Sequence, residues 1–246
     1  FFKQKTAYAL GVRLVGSEMC IRDRNEARCH EVVYEGVDLN TKGNGLDALP
    51  VPISTPGFDV APYLTATSCI SRDPDTGIQN MGTYRGGIKS PTRMGLKMFV
   101  NLGQGGHAHW DEYRARREKM PMAIMVGCPP ALAYVSPQKI RQDVDEVSGA
   151  GALVGSPIRG VKAKTIDLLV PAEAEIVIEG LVDTNMLEPE GPFGESHGHI
   201  NLEEYNFVFE VTAITRRRDA IMASIISQVT PSESVSYTHL TLPTKA

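Results

Sequence analysis

Glu190 and Glu195 stand five residues apart across Gly191-Pro192-Phe193-Gly194, within the string EPEGPFGESHGH at 188–199. A Pro/Gly turn folds such a spacing back on itself, so the two carboxylates are brought toward one another. Paired carboxylates in a cleft divide acid and base roles when their surroundings separate their pKa values. The same string also reads as a solvated acidic loop. His197 and His199 alternate with Gly198 and would share one face of a strand, either as metal ligands or as structural residues.

A second cluster is Asn80-Met81-Gly82-Thr83-Tyr84-Arg85-Gly86-Gly87. Its amide and guanidinium, with flexible glycines between and after, suit a phosphorylated ligand or a carboxylate. The planar fork of Arg85 meets a carboxylate through two parallel hydrogen bonds. A third is Gln104-Gly105-Gly106-His107-Ala108-His109, where glycines let backbone N–H groups approach a phosphate and the paired histidines invite a metal reading. Taken singly, none of these patterns fixes a chemistry.

The elements that must carry these residues are mostly strands. Tyr63–Ile70 reads as a strand closed by the turn Asp73-Pro74-Asp75-Thr76-Gly77. Residues 80–89, a Ser90-Pro91 turn and a strand over Leu96–Asn101 form a hairpin-like unit. A helix is expected over 108–119, a buried strand over Ala123–Val126, and a short helix or turn over 143–149. Ile166–Val170 and Glu175–Ile178 bracket a turn at 171–174, and a last pair spans Asn206–Arg216 and Ala220–Ile226. Short strands with few long helices predict an α+β, β-rich fold: a β-barrel core with short helical insertions.

Composition narrows the class. With 246 residues, 42% hydrophobic and 22% charged, the chain can bury a real core, so disorder and fibrous architectures are excluded. No apolar run reaches the ~18 residues of a membrane helix. A net charge of −4 argues against a nucleic-acid surface. Cys20, Cys29, Cys69 and Cys128 form no CxxC pair, which predicts neither zinc ribbon nor disulfide framework and fits a reducing cytoplasm. Residues 1–24 and 236–246 read as non-native strings of translated sequencing adaptor, and the first is a poor secretory signal because Arg13 interrupts its apolar stretch. Residues 25–62, polar and broken by Pro50, Pro52, Pro56 and Pro62, read as the remnant of an N-terminal domain; residues 63–235 read as the core.

Four segments taken together resemble the UbiD family of carboxy-lyases: NMGTYR (80–85), NLGQGGHAHW (101–110), the run from Val144 to Gly180 containing VPAEAEIVIEG, and PEGPFGE (189–195). The likeness covers about Asp59 to Ser234. It implies a split β-barrel flavin-binding core, with a C-terminal oligomerisation domain absent from this chain and the fragment inactive alone. It also implies reversible, non-oxidative decarboxylation of aromatic or α,β-unsaturated carboxylic acids with prenylated flavin mononucleotide, a divalent cation such as manganese, and potassium. Loss of CO₂ from an sp² carbon leaves a carbanion that no side chain stabilises, so a cofactor must act as the electron sink.

By the same resemblance, Glu190, Arg85 and Glu195 form a Glu–Arg–Glu network, with Glu195 the proton donor and Glu190 its coupled partner. Such a trio titrates as a unit. Asn80 and Glu146 are the implied metal ligands, oxygen donors suited to a hard cation. The third ligand falls at Gln104, where the family often has His, and His107 lies slightly downstream. Thr83, Tyr84 and Arg85, then Phe99, Val100 and Asn101, then Gln104 and Gly105 align with segments lining the flavin. Implied partners are a small carboxylic acid, a flavin prenyltransferase that supplies the cofactor, and further copies of the full-length chain. Two other classes stay open: a non-catalytic flavin- or phosphate-binding module, and a metal-dependent hydrolase built on His107/His109 and His197/His199.

Overall fold

The computed structural model describes residues 27–98, 104–140, 144–194, 200–202 and 204–226. Its strands are β1 (Val32–Glu35), β2 (Tyr63–Leu64), β3 (Thr67–Arg72), β4 (Gln79–Gly82), β5 (Gly86–Ser90), β6 (Arg93–Leu96), β7 (Met120–Val126), β8 (Gly160–Lys162), β9 (Leu169–Pro171), β10 (Ile176–Glu190), β11 (Phe193–Gly194), β12 (Ile200–Asn201) and β13 (Glu204–Arg216). The helices are α1 (Gly105–Arg116), α2 (Pro130–Val135) and α3 (Glu146–Val154).

One antiparallel sheet dominates, in the order β2-β5-β6-β13-β10-β7-β3-β4. The long strand β13 is its spine. Its two edges carry β10 along one side and, on the other, β6 against Phe207–Glu210 and β1 against Ala213–Arg216. The fold is α+β and β-rich, as the strand pattern predicts. The expected barrel is corrected: among the described residues the terminal strands β2 and β4 do not pair with each other, so the sheet stays open.

Period-2 alternation sorts the strands into two apolar faces. Met122, Ile124, Ile178, Val182 and Phe209 pack on one, with Leu64, Met94, Leu96 and Trp110. Ala123, Met125, Val177 and Ile70 pack on the other, against Leu132 and Val135 of α2 and Val147 and Ala150 of α3. Strand β10 bends twice against β13, at Glu179/Gly180 and between Val182 and Leu187. Gly180 sits at the first bend because a Cβ there would lie 2.2 Å from the Glu210 carbonyl. The bends carry Glu188 and Glu190 to the end of the sheet.

Several expected boundaries move. The strand over 63–70 is broken at Thr65 and Ala66 into β2 and β3. The strand expected from Leu96 lies earlier, at Arg93–Leu96, and Phe99, Val100 and Asn101 are outside the described residues. The helix expected at 108–119 runs from Gly105 to Arg116 because Gly105 and Gly106 form its first turn, and Arg117 ends it in the left-handed conformation (φ 61°). Ile166–Val170 narrows to the three residues of β9. Ala220–Ile226 is not a strand; its Ile221 and Ile225 amides donate to the Glu175 carboxylate and the Thr65 hydroxyl instead. The expected boundaries at 24 and 236 fall outside the described residues.

Candidate active site

Arg85 follows β4 and leads into β5, where its carbonyl accepts from Lys97 N at 3.0 Å. Gly86, next in the chain, faces Met94, Leu96 and Leu64 in the core, while Gly87 faces the Tyr63 ring. Alternation therefore turns Arg85 to the side away from the core. There it meets Glu190, the last residue of β10: Nε donates to Oε1 at 3.2 Å and Nη2 to Oε2 at 2.8 Å. Only 10% of the Arg85 side chain and 4% of the Glu190 side chain are exposed, so this is a buried, two-pronged ion pair.

Phe193 sits beneath it. The guanidinium carbon lies 4.4 Å from the Phe193 ring centroid, and Tyr63 packs against the same ring at 4.6 Å. Burial, and after it the Glu190 carboxylate, push the Tyr63 phenol well above its ordinary range, so it stays protonated. Around this centre the charges are paired: Lys89 and Arg93 hold Glu188, and Lys97 holds Glu204. Asn206, opposite Glu188 across β10 and β13, has both amide atoms buried without a partner among the described residues. Glu195, His197 and His199 lie outside the described residues.

A second cluster gathers Asn80, Tyr84, Gly105 and Glu146. The Glu146 carboxylate accepts from Met81 N at 2.8 Å, one residue from Asn80, and burial pushes it up to about 7. The buried Asn80 amide lies against the Tyr84 phenol. A Cβ on Gly105 would overlap the Asn80 amide at 1.9 Å, so only glycine lets α1 start this close. Gln104 is the residue preceding that first turn, and its carbonyl accepts from His107 and Ala108. The structure thus brings Asn80 and Glu146 together and puts Gln104 one residue from the contact.

Tyr84 is turned into the core; its phenol oxygen accepts from Gly106 N at 3.1 Å and its carbonyl from the Thr67 hydroxyl at 2.5 Å. Thr83 is exposed, with its hydroxyl 2.9 Å from that of Ser136. His107 stacks near Trp110 and Phe207 and lies 3.3 Å from Asp111, whereas His109 is buried with Nδ1 2.9 Å from the Ser71 hydroxyl. Each imidazole is thus engaged by different neighbours, against the metal-pair reading of His107/His109. Among the described residues no group of three or more His, Cys, Asp and Glu is placed to hold a metal. Phe193, though it sits between the two glutamates of PEGPFGE, carries no chemical signal of its own in the sequence, and neither do Tyr63 and Asp59.

The family model for the 3-octaprenyl-4-hydroxybenzoate carboxy-lyase Rift-related domain matches residues 21–229. The chain belongs to the UbiD family. Among solved structures it is similar to an evolved dimeric form of the UbiD-class enzyme HmfF from Pelotomaculum thermopropionicum in complex with prFMN, at 31% identity and a TM-score of 0.79 over 90% of this chain and 50% of that one. It is also similar to vanillic acid decarboxylase from Sedimentibacter hydroxybenzoicus, at 26% identity and a TM-score of 0.76 over 90% and 47%. The apo 3,4-dihydroxybenzoic acid decarboxylase of Klebsiella pneumoniae, at 22% identity, a TM-score of 0.74 and coverages of 89% and 46%, shares the fold. The chain spans about half the length of these UbiD-family structures.

Proposed function

We propose that this chain is the prenylated-FMN-binding core of a decarboxylase that reversibly and non-oxidatively removes CO₂ from an aromatic or α,β-unsaturated carboxylic acid. The observation that carries the reading is the buried two-pronged Arg85–Glu190 pair, in a family that includes a prFMN-bound enzyme and a vanillic acid decarboxylase.

Each residue has a definable task. Glu190 fixes the plane of the Arg85 guanidinium, and the Phe193 ring supports it from below, so the cation is in place before substrate arrives. Arg85 orients the substrate carboxylate. Glu195 returns a proton to the carbon that loses CO₂, coupled to Glu190 as its partner. The modified flavin, when bound, supplies the electron sink for the departing carboxylate's electrons. Thr83, Tyr84, Arg85, Gln104 and Gly105, with the aligned positions Phe99, Val100 and Asn101, are the residues that would hold it.

The donor set fits a hard cation. Asn80 offers an amide oxygen and Glu146 a buried carboxylate bonded to Met81 N, one residue along β4 from Asn80, oxygen donors of the kind a hard cation takes. They would hold Mn²⁺ or a similar divalent ion, with Gln104 as third ligand, and K⁺ would complete the set. We further read the whole protein as a cytoplasmic homo-oligomer loaded by a flavin prenyltransferase.

The test is to express the complete gene with a prenylated-flavin supply and incubate the protein with a panel of aromatic and acrylic acids. Decarboxylation, or exchange of labelled CO₂ or solvent deuterium, is expected for at least one acid. No turnover despite confirmed cofactor loading overturns the reading and leaves a non-catalytic binding module.

A further inference from the structure

Between the end of β10 at Glu190 and the start of β13 at Glu204 the chain leaves the large sheet. Among the described residues strand β11 pairs only with β12, in a separate two-stranded ribbon. Residues 59–63 face this excursion at three points. Val60 closes over Gly191, where a Cβ would come within 2.4 Å of its side chain. Tyr63 packs on Phe193. Asp59, only 8% exposed, sends its two carboxylate oxygens in different directions: Oδ2 accepts from Thr55 N at 2.8 Å, and Oδ1 accepts from Gly194 N at 3.0 Å.

The first of these bonds closes a local turn, which also has Asp59 N donating to the Thr55 carbonyl at 3.0 Å. The second spans 135 residues and does nothing for that turn. Its acceptor is ionic and buried, which makes it among the stronger kinds of hydrogen bond to a backbone amide. It grips the excursion one residue beyond the ring that supports Arg85, and Glu195 is the next residue in the sequence.

We propose that Asp59 is a positioning residue for the reaction: its carboxylate anchors the segment 190–194 through Gly194 and so holds Phe193 and Glu190 in register with Arg85. This rests on the preceding functional reading. Displacement of a reacting group by about 1 Å costs on the order of 100-fold in rate, so the anchor matters more to turnover than to substrate binding.

The experiment compares wild type, Asp59→Ala, Asp59→Asn and Glu195→Gln in the complete, prenylated-flavin-loaded enzyme. For Asp59→Ala, kcat per loaded flavin is expected to fall about 100-fold with KM within about threefold, while amide hydrogen exchange over 190–194 accelerates at least tenfold. Asp59→Asn, which keeps one acceptor oxygen, is expected to fall between Asp59→Ala and wild type in both readouts. It also keeps the test open if Asp59→Ala does not fold. Wild-type exchange over 190–194, or wild-type kcat in spite of faster exchange, overturns the proposal. Glu195→Gln at the wild-type rate instead overturns the acid assignment, and the exchange measurement then still decides whether Asp59 anchors the segment.

Discussion

The two polar clusters differ in how far the chain completes them. Arg85 and Glu190 satisfy each other through two hydrogen bonds, on a floor of Phe193 and Tyr63. Asn80 and Glu146 are also brought together, yet the Glu146 carboxyl faces the like charge of Asp145 and is driven up, chiefly by burial. A group that is paired within the chain is ready before ligand arrives. A buried carboxylate that faces no cation among the described residues carries a desolvation cost that a bound cation would relieve. On the proposed reading the first cluster orients substrate and the second receives a cation.

The largest effect expected from breaking that contrast is at Arg85. Arg85→Ala leaves Glu190 buried without its cation, which is expected to lower unfolding free energy by about 3–5 kcal/mol in denaturant titration. Next is the receiving cluster. Added Mn²⁺ is expected to raise the thermal midpoint of wild type, by a stabilisation of about 2.7 kcal/mol at a concentration 100 times its Kd, and to do far less for Asn80→Ala. Gly105→Ala drives a methyl into the Asn80 amide and is expected to weaken Mn²⁺ affinity by about 10–100-fold in a calorimetric titration, with the Arg85–Glu190 pair unaffected.

How much of this the sequence discloses depends on the range of the contacts. The β10 and β13 runs, IVIEG and FVFEVTAIT, are legible because β-branched and aromatic residues alternate on a two-sided sheet. The start of α1 is misjudged because Gly105-Gly106 looks like a break, and the reason for it, close approach to Asn80 and Tyr84, is a tertiary contact. The apolar stretch 220–226 resembles a strand until its amides are found on Glu175 and Thr65. Spacing alone picks out Glu190, Arg85 and Asn80 but their roles, and Glu146 altogether, come from family resemblance, whereas the Asp59–Gly194 contact leaves no local pattern, since the two are 135 residues apart.

His30 sharpens the contrast from another side, because it is unpartnered with nothing to receive. Among the described residues both its ring nitrogens are buried without a partner, and burial lowers its pKa to about 4, below the ordinary 6.5. Between those values the unfolded chain binds a proton that the folded one does not. The stabilisation from keeping His30 neutral is therefore complete above about pH 6.5 and is lost as pH falls toward 4. His30→Phe is expected to flatten that part of the stability–pH curve measured by urea titration. The smallest effect is at the rim: Lys89→Ala removes a partly exposed contact to Glu188, which keeps Arg93, and is expected to cost less than about 1 kcal/mol.

The most direct measurement is solvent-deuterium incorporation at the decarboxylated carbon by the complete, flavin-loaded protein, compared between wild type and Arg85→Lys. Lysine keeps the charge but not the fork that meets Glu190 twice. The account predicts incorporation by wild type and a loss of at least about 100-fold in Arg85→Lys at equal flavin content. Equal incorporation by both would contradict it.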